Sequence, residues 1–150
     1  MSKSQLEMLT ELARGARDQA GKVLAQERQT EQQTNAQLKS LLSYRAEYAE
    51  RFQKAMHDGI DPATMYNYQQ FLASLDAALS RARQALAAQQ ASVQQSQKNW
   101  QQEQRKLSSY DTLASRRLLE EHRRSERHEQ KTNDDLVTSR LARQHNDAPH

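Results

Sequence analysis

From residue 65 onward, apolar side chains recur at steps of alternately three and four. The series runs Met65, Tyr68, Leu72, Leu75, Leu79, Ala82, Leu86, Gln89, Val93, Ser96, Trp100, Glu103, Leu107, Tyr110 and Ala114, and only Gln89, Ser96 and Glu103 in it are polar. The next steps, Arg117 and Glu121, are charged, so the pattern ends there. A mean repeat of about 3.5 residues is the mark of helices wound together in a left-handed coiled coil. The pattern therefore predicts one long helix with an apolar seam along most of its length.

Upstream of this helix stands the one strong interruption, His57-Asp58-Gly59-Ile60-Asp61-Pro62. Glycine accepts the left-handed conformation that ends a helix, and His57 suits a last turn at the negative dipole end. Asp61 followed by Pro62 fits an N-cap and a first helical residue, because proline lacks an amide that would be unpaired there anyway. Gly15 and Gly21 fall inside helical pattern, and Pro149 marks a frayed end. So short a turn folds two helices back on each other. If it centres near residue 60, position 2 lies opposite a position near 117, where the apolar series stops. The expected fold is all-α: a long two-helix antiparallel coiled-coil hairpin with an unpaired C-terminal helical extension. Its first helix covers about residues 3–57, its turn 58–62 and its second helix about 63–140, with 116–150 beyond the paired part of a single elongated domain. At ~1.5 Å per residue, the paired rod would be on the order of 80 Å long.

The first helix has a less regular seam. Leu6, Leu9, Ala13, Ala16, Ala20 and Val23 keep one frame, while Leu24, Leu38, Leu42, Ala49, Phe52 and Met56 keep another, which suggests a stutter near Val23 and Leu24. Residues 26–37 are almost wholly polar and should form the loosest stretch. Near the turn the opposite problem arises, because there is too much apolar surface for one seam. Beside Leu38, Leu42, Phe52 and Met56 stands a second row, Leu41, Tyr44 and Tyr48, about 100° around the helix. On the second helix Phe71 and Ala78 flank the seam at Leu72, Leu75 and Leu79. Either the tyrosines lean over the seam with their hydroxyls in water, or the second row is a patch for a partner.

Composition supports an elongated helical chain over a globule. Apolar residues make up 35% of the 150, aromatics 5%, and Gly and Pro number three and two. A thin seam needs no more, and the abundance of good helix formers argues against disorder. The 22 basic and 19 acidic residues leave a net charge of +3 and are intermixed, as on a solvated helix face. No dense phosphate-binding stripe results, and nucleic acid is not an expected partner. The absence of cysteine removes disulfides and thiolate metal sites. No run is long and apolar enough to cross a bilayer, and no signal-peptide core follows Met1, so a soluble cytoplasmic protein is expected.

A search for chemistry finds none. Three glycines cannot build a phosphate loop, and His122 and His128 lie on different faces with no His-Glu-x-x-His pattern. Ser108 and Ser109 have no histidine near them in sequence. Trp100 falls on the seam and is expected to pack there. No catalytic residue, metal or cofactor is expected. The stretch from Arg116 to Lys131, in which Arg and Lys outnumber Glu, is either a frayed solvated helix or a helical tip offered to an acidic or cleft-like partner.

Leu41-Leu42-x-Tyr44, Glu47-Tyr48, the Gly59-Ile60 turn, Asn67-Tyr68-Gln69-Gln70-Phe71 and Leu75 together resemble the FliJ family of the flagellar type III export apparatus, with a weaker echo at Trp100, Leu107 and Thr112-Leu113. The resemblance spans nearly the whole chain. It implies a two-helix coiled coil similar to the stalk subunit of rotary ATPases, peripheral at the cytoplasmic face of the inner-membrane export apparatus. The partners it implies are the hexameric export ATPase FliI, whose assembly such proteins promote, the export gate protein FlhA, and export chaperones. It places the gate-binding surface at positions matching Gln37, Leu41, Tyr44 and Tyr48, with Phe71, Leu75 and Ala78 on the second helix. The ATPase would be met at the opposite end of the rod, by a monomer. The alternative from the pattern alone is a structural coiled coil that acts only through self-oligomerisation.

Overall fold

In the computed structural model, which describes residues 2–146, two helices account for almost the whole chain: α1 (Lys3–Asp58) and α2 (Pro62–Asn146). Helix α2 runs past the expected end near residue 140, and the turn is tighter than 58–62. Pro149 lies outside the described residues.

Each helix start is capped by its own sequence. The Ser2 hydroxyl accepts from the Gln5 amide at 3.2 Å, while the Gln5 side chain accepts from the Ser2 amide at 3.0 Å. This reciprocal capping box satisfies two amides that the first turn would otherwise leave open. Gly59 has φ 91° and its amide reaches the Met56 carbonyl at 3.3 Å, so it ends α1 in the left-handed conformation. Asp61 then opens α2: its carbonyl accepts from the Met65 amide at 3.1 Å, and its carboxylate accepts from the Thr64 hydroxyl. That hydroxyl, with the amides of Thr64 and Ala63, holds the Asp61 carboxyl below its ordinary value.

The chain divides into two units, one of residues 14–104 and one drawn from residues 2–13 and 105 onward. In residues 14–104 the helices pair antiparallel. Moving away from the turn, Phe52 stacks on Tyr68, Arg45 bonds Asp76, Glu27 bonds Gln89, Gly21 lies under Trp100, and Arg17 reaches Gln104. On α2 the covered positions include Tyr68, Leu72, Leu75, Leu79, Ala82, Leu86, Gln89, Val93, Ser96 and Trp100, with Ala78 half-buried on one flank. Met65, expected in the seam, is 38% exposed beside the turn.

On α1 the same unit keeps one frame, and no stutter occurs at Val23 and Leu24. The covered ladder is Arg17, Ala20, Leu24, Glu27, Glu31, Thr34, Leu38, Leu41, Arg45, Tyr48, Phe52 and Ala55, with Gly21, Asn35 and Ala49 half-buried on one flank. Leu42 and Met56, expected in the seam, are 39% and 49% exposed. The physical reason is that several seam positions hold polar residues. Arg and Glu can lay an aliphatic stem across a seam while the polar head finds a partner. Arg45 Nε donates to Asp76 at 2.9 Å, and Arg17 Nη1 to Gln104 Oε1 at 3.5 Å. Thr34 returns its hydroxyl to the Thr30 carbonyl at 2.9 Å. With the polar positions giving no guide, apolarity alone does not tell Leu41 from Leu42 and favours the larger Met56 over Ala55.

In the second unit Leu6, Ala13 and Leu107 are buried and Tyr110 and Ala114 half-buried. Leu6 and Leu113 line a hollow with Arg116, Arg117, Glu120, Glu121 and Arg124. Burial ends at Arg117, and every residue from 118 to 146 is exposed. Arg117 and Glu121 approach within 4.0 Å, and His122 Nε2 lies 3.0 Å from Glu126, both one helical turn apart on the surface. A helix end with no covering partner is stabilised only by such local pairs and by its propensity.

Candidate partner-binding surface

Five rings meet beside the turn. Tyr48 sits at their centre, 4.4 Å from Phe71, 5.2 Å from Tyr68 and 6.4 Å from Tyr44 between ring centroids. Tyr44 meets Phe71 edge-on at 6.0 Å, and Phe52 stacks on Tyr68 at 5.2 Å. Tilted and edge-on pairs at these separations are the favourable arrangements for ring quadrupoles. The cluster forms because Tyr44, Tyr48 and Phe52 are four apart along α1, while Tyr68 and Phe71 are three apart along α2. Antiparallel pairing then brings the two sets together.

The rings have different exposures. Phe52, Tyr68 and Tyr48 are half-buried, whereas Tyr44 is 45% and Phe71 36% exposed. The outer two thus form an edge-to-face pair held from beneath by Tyr48. Of the other residues matched to the gate-binding positions, Gln37 is exposed and Leu41 and Ala78 are half-buried. Leu75 is 7% exposed and belongs to the seam, which corrects its placement on the surface. Tyr48 and Leu41 likewise sit on the covered ladder, so the two rows near the turn are not alternatives. One row of α1 supplies both the seam and the support of the outer rings.

The flank of the cluster carries an ion pair that sequence reasoning missed. Arg45 and Asp76 bond at 2.9 Å across the two helices, and the hydrogen bond and charge of Asp76 raise the Arg45 pKa. The signal was an arginine falling on the three-and-four ladder between Leu41 and Tyr48. Among the described residues no group of acids and histidines is placed to hold a metal ion, and no helix is long and apolar enough to cross a membrane.

Fold and surface together define an antiparallel coiled-coil hairpin protein that offers aromatic side chains at its turn. The family pattern described as "Flagellar FliJ protein" matches residues 2–146. Two proteins named Flagellar FliJ protein are similar: that of Salmonella typhi is 34% identical over 79% of this chain and 83% of its own length. That of Escherichia coli K12 is 32% identical over the same shares. In fold, the chain is similar to a YscO homologue of Chlamydia trachomatis, with a TM-score of 0.68 at 11% identity, covering 97% of this chain and 94% of the other. The chain belongs to the FliJ family and is a component of flagellar type III protein export.

Proposed function

We propose that the chain serves export as a non-enzymatic stalk. In this role it binds the hexameric export ATPase and promotes its assembly, meets the export gate protein through the surface beside the turn, and escorts export chaperones. It works as a monomer at the cytoplasmic face of the export apparatus. The observation that carries the gate contact is the exposed Tyr44–Phe71 pair seated on Tyr48. A ring fixed on one side and free on the other loses little side-chain freedom on binding, which favours it as an anchor. Gln37, Tyr44 and Phe71 are the contacting residues on this proposal, with Leu41, Tyr48, Leu75 and Ala78 supporting them. The ATPase is assigned to the unit holding both chain ends, where α2 continues past the last covered residue with its charged surface free of a partner helix.

Calorimetric titration of the gate protein's cytoplasmic domain and of the ATPase tests the division. Tyr44→Ala combined with Phe71→Ala should weaken gate binding by about 2 kcal/mol or more and leave ATPase binding unchanged. Unchanged gate affinity, or equal loss of both, would refute it. Light scattering at micromolar concentration should return one chain's mass, 17.3 kDa. A multiple of that mass would hand the aromatic pair to a second copy.

A further inference from the structure

Two frames of equal period compete for the seam on α1. They share Leu24, Glu31, Leu38, Arg45 and Phe52. Between those positions, the frame in use takes Glu27, Thr34, Leu41 and Tyr48, and the alternative takes Arg28, Asn35, Leu42 and Ala49. Near the turn the frame in use covers Leu41 and Tyr48 where the alternative would cover Leu42 and Ala49. From Leu24 to Leu38, however, the differing positions are all polar, so hydrophobic burial does not choose between the frames in that stretch. Adjacent helical residues differ by about 100°, so a roll of α1 by roughly half that exchanges one frame for the other.

The packing of residues 14–104 leaves room for this roll. Asn35 and Ala49 are already half-buried on the alternative flank, and Leu42 stands just outside them at 39% exposure. The opposite flank, at Gln37 and Tyr44, is exposed. An open hollow lined by Arg28, Glu31, Gln32, Asn35, Val93 and Gln97 lies on the alternative side. Farther from the turn Trp100 lies against Gly21 on that side, so the room is confined to the stretch from Arg28 to Asn35.

Two sets of contacts belong to the frame in use: the rings that Tyr48 meets beside the turn, and, in the polar stretch farther from it, a bond between Glu27 and Gln89. The Gln89 amide, on the α2 seam, donates to the Glu27 backbone carbonyl at 3.0 Å and also to the Glu27 carboxylate. Glu27 is a seam residue only in this frame. In the alternative, Arg28 would face Gln89; its guanidinium could donate to the Gln89 carbonyl oxygen but would offer no acceptor to the Gln89 N–H that the Glu27 carboxylate and carbonyl now satisfy. Single polar residues on coiled-coil seams are an attested means of choosing register over its rivals. We propose that the Glu27–Gln89 pair selects the rotational frame of α1 and so sets Tyr44 against Phe71. The inference stands on the packing of the two helices and not on any partner.

The sequence has no cysteine, so single introduced cysteines report local exposure through their maleimide labelling rates. With the native pair, Leu42→Cys should label about tenfold faster than Leu41→Cys, since thiol access governs the rate. Exchanging the two residues, Glu27→Arg with Arg28→Glu, moves the acceptor to the alternative frame and should invert that order. An unchanged order with helicity retained overturns the proposal. Should the exchange unfold the hairpin, the milder Gln89→Ala carries the same test. Its ratio should fall toward one, and a ratio kept at the native value overturns the proposal equally. No partner protein is present in either assay, so failure here is distinct from failure of the gate contact.

Discussion

Replacing Tyr48 by alanine should cost the fold more than replacing Tyr44, although the two rings are neighbours on α1. Tyr48 contacts three rings, the nearest at 4.4 Å, and its side chain is half-buried on the covered ladder. Aromatic pairs contribute about 0.5–1.5 kcal/mol each beyond their buried area, and removing a fully buried ring costs about 3–5 kcal/mol. Half-burial lowers the second figure, which leaves a loss of about 2–3 kcal/mol for Tyr48→Ala. Tyr44 has two contacts, both at 6.0 Å or more, and nearly half of its surface in water. Its removal should cost about 1 kcal/mol or less. Thermal melts followed by circular dichroism measure the difference, at about 2–4 °C per kcal/mol for a chain of this length. Tyr48→Phe, which keeps the ring, should recover most of the loss. Equal shifts for the two alanine variants would refute the assignment of Tyr48 to the seam.

Leu79 is 4% exposed, and Leu79→Asp buries an unpaired carboxylate. It should lower stability by several kcal/mol, about 3–5, and an unchanged melting temperature would put the seam on another face. Gly21→Ala sets a helix gain of about 1 kcal/mol against a Cβ that would stand 3.3 Å from Trp100 Nε1. Trp100 is the one tryptophan, so its emission should shift as the indole gives way; an identical spectrum would contradict the packing. The Asp61 pKa is lowered in the folded chain, chiefly by the Thr64 hydroxyl. Its contribution is therefore present above the unfolded value of about 3.9 and lost as pH falls through the folded value. The melting-temperature advantage of the wild type over Asp61→Ala should shrink toward acid, and an advantage that grew there would reverse the sign.

How far the sequence spoke depended on which residues hold the seam. On α2 nearly every covered position is apolar, so the three-and-four spacing of Leu72, Leu75, Leu79 and Leu86 can be followed without knowledge of α1. The turn is equally plain, because Gly59, Asp61 and Pro62 each suit one conformational task. Helix α1 is different. Glu27, Glu31, Thr34 and Arg45 occupy its seam, and their cover comes from stems, small partners and cross-helix bonds that appear only once α2 is in place. Hydrophobicity therefore did not tell Leu41 from Leu42 and favoured Met56 over Ala55. Ser2 and Gln5 carried a readable capping signature. At the surface, the excess of aromatic residues near the turn was visible, but its division was not. Tyr44 and Phe71 stay outside while Tyr48 and Leu75 go under, a distinction fixed by the roughly 40° that separates residues four apart on a helix.

The most direct test of the exposed rings' role is swimming and export of flagellar substrates in a flagellated strain whose chromosomal copy has been deleted. Wild-type chain should restore both. Tyr44→Ala with Phe71→Ala should restore neither, although the protein accumulates, keeps its helicity and still binds the ATPase. Full motility from that double variant would contradict the claim that this chain acts in export through the aromatic pair beside its turn.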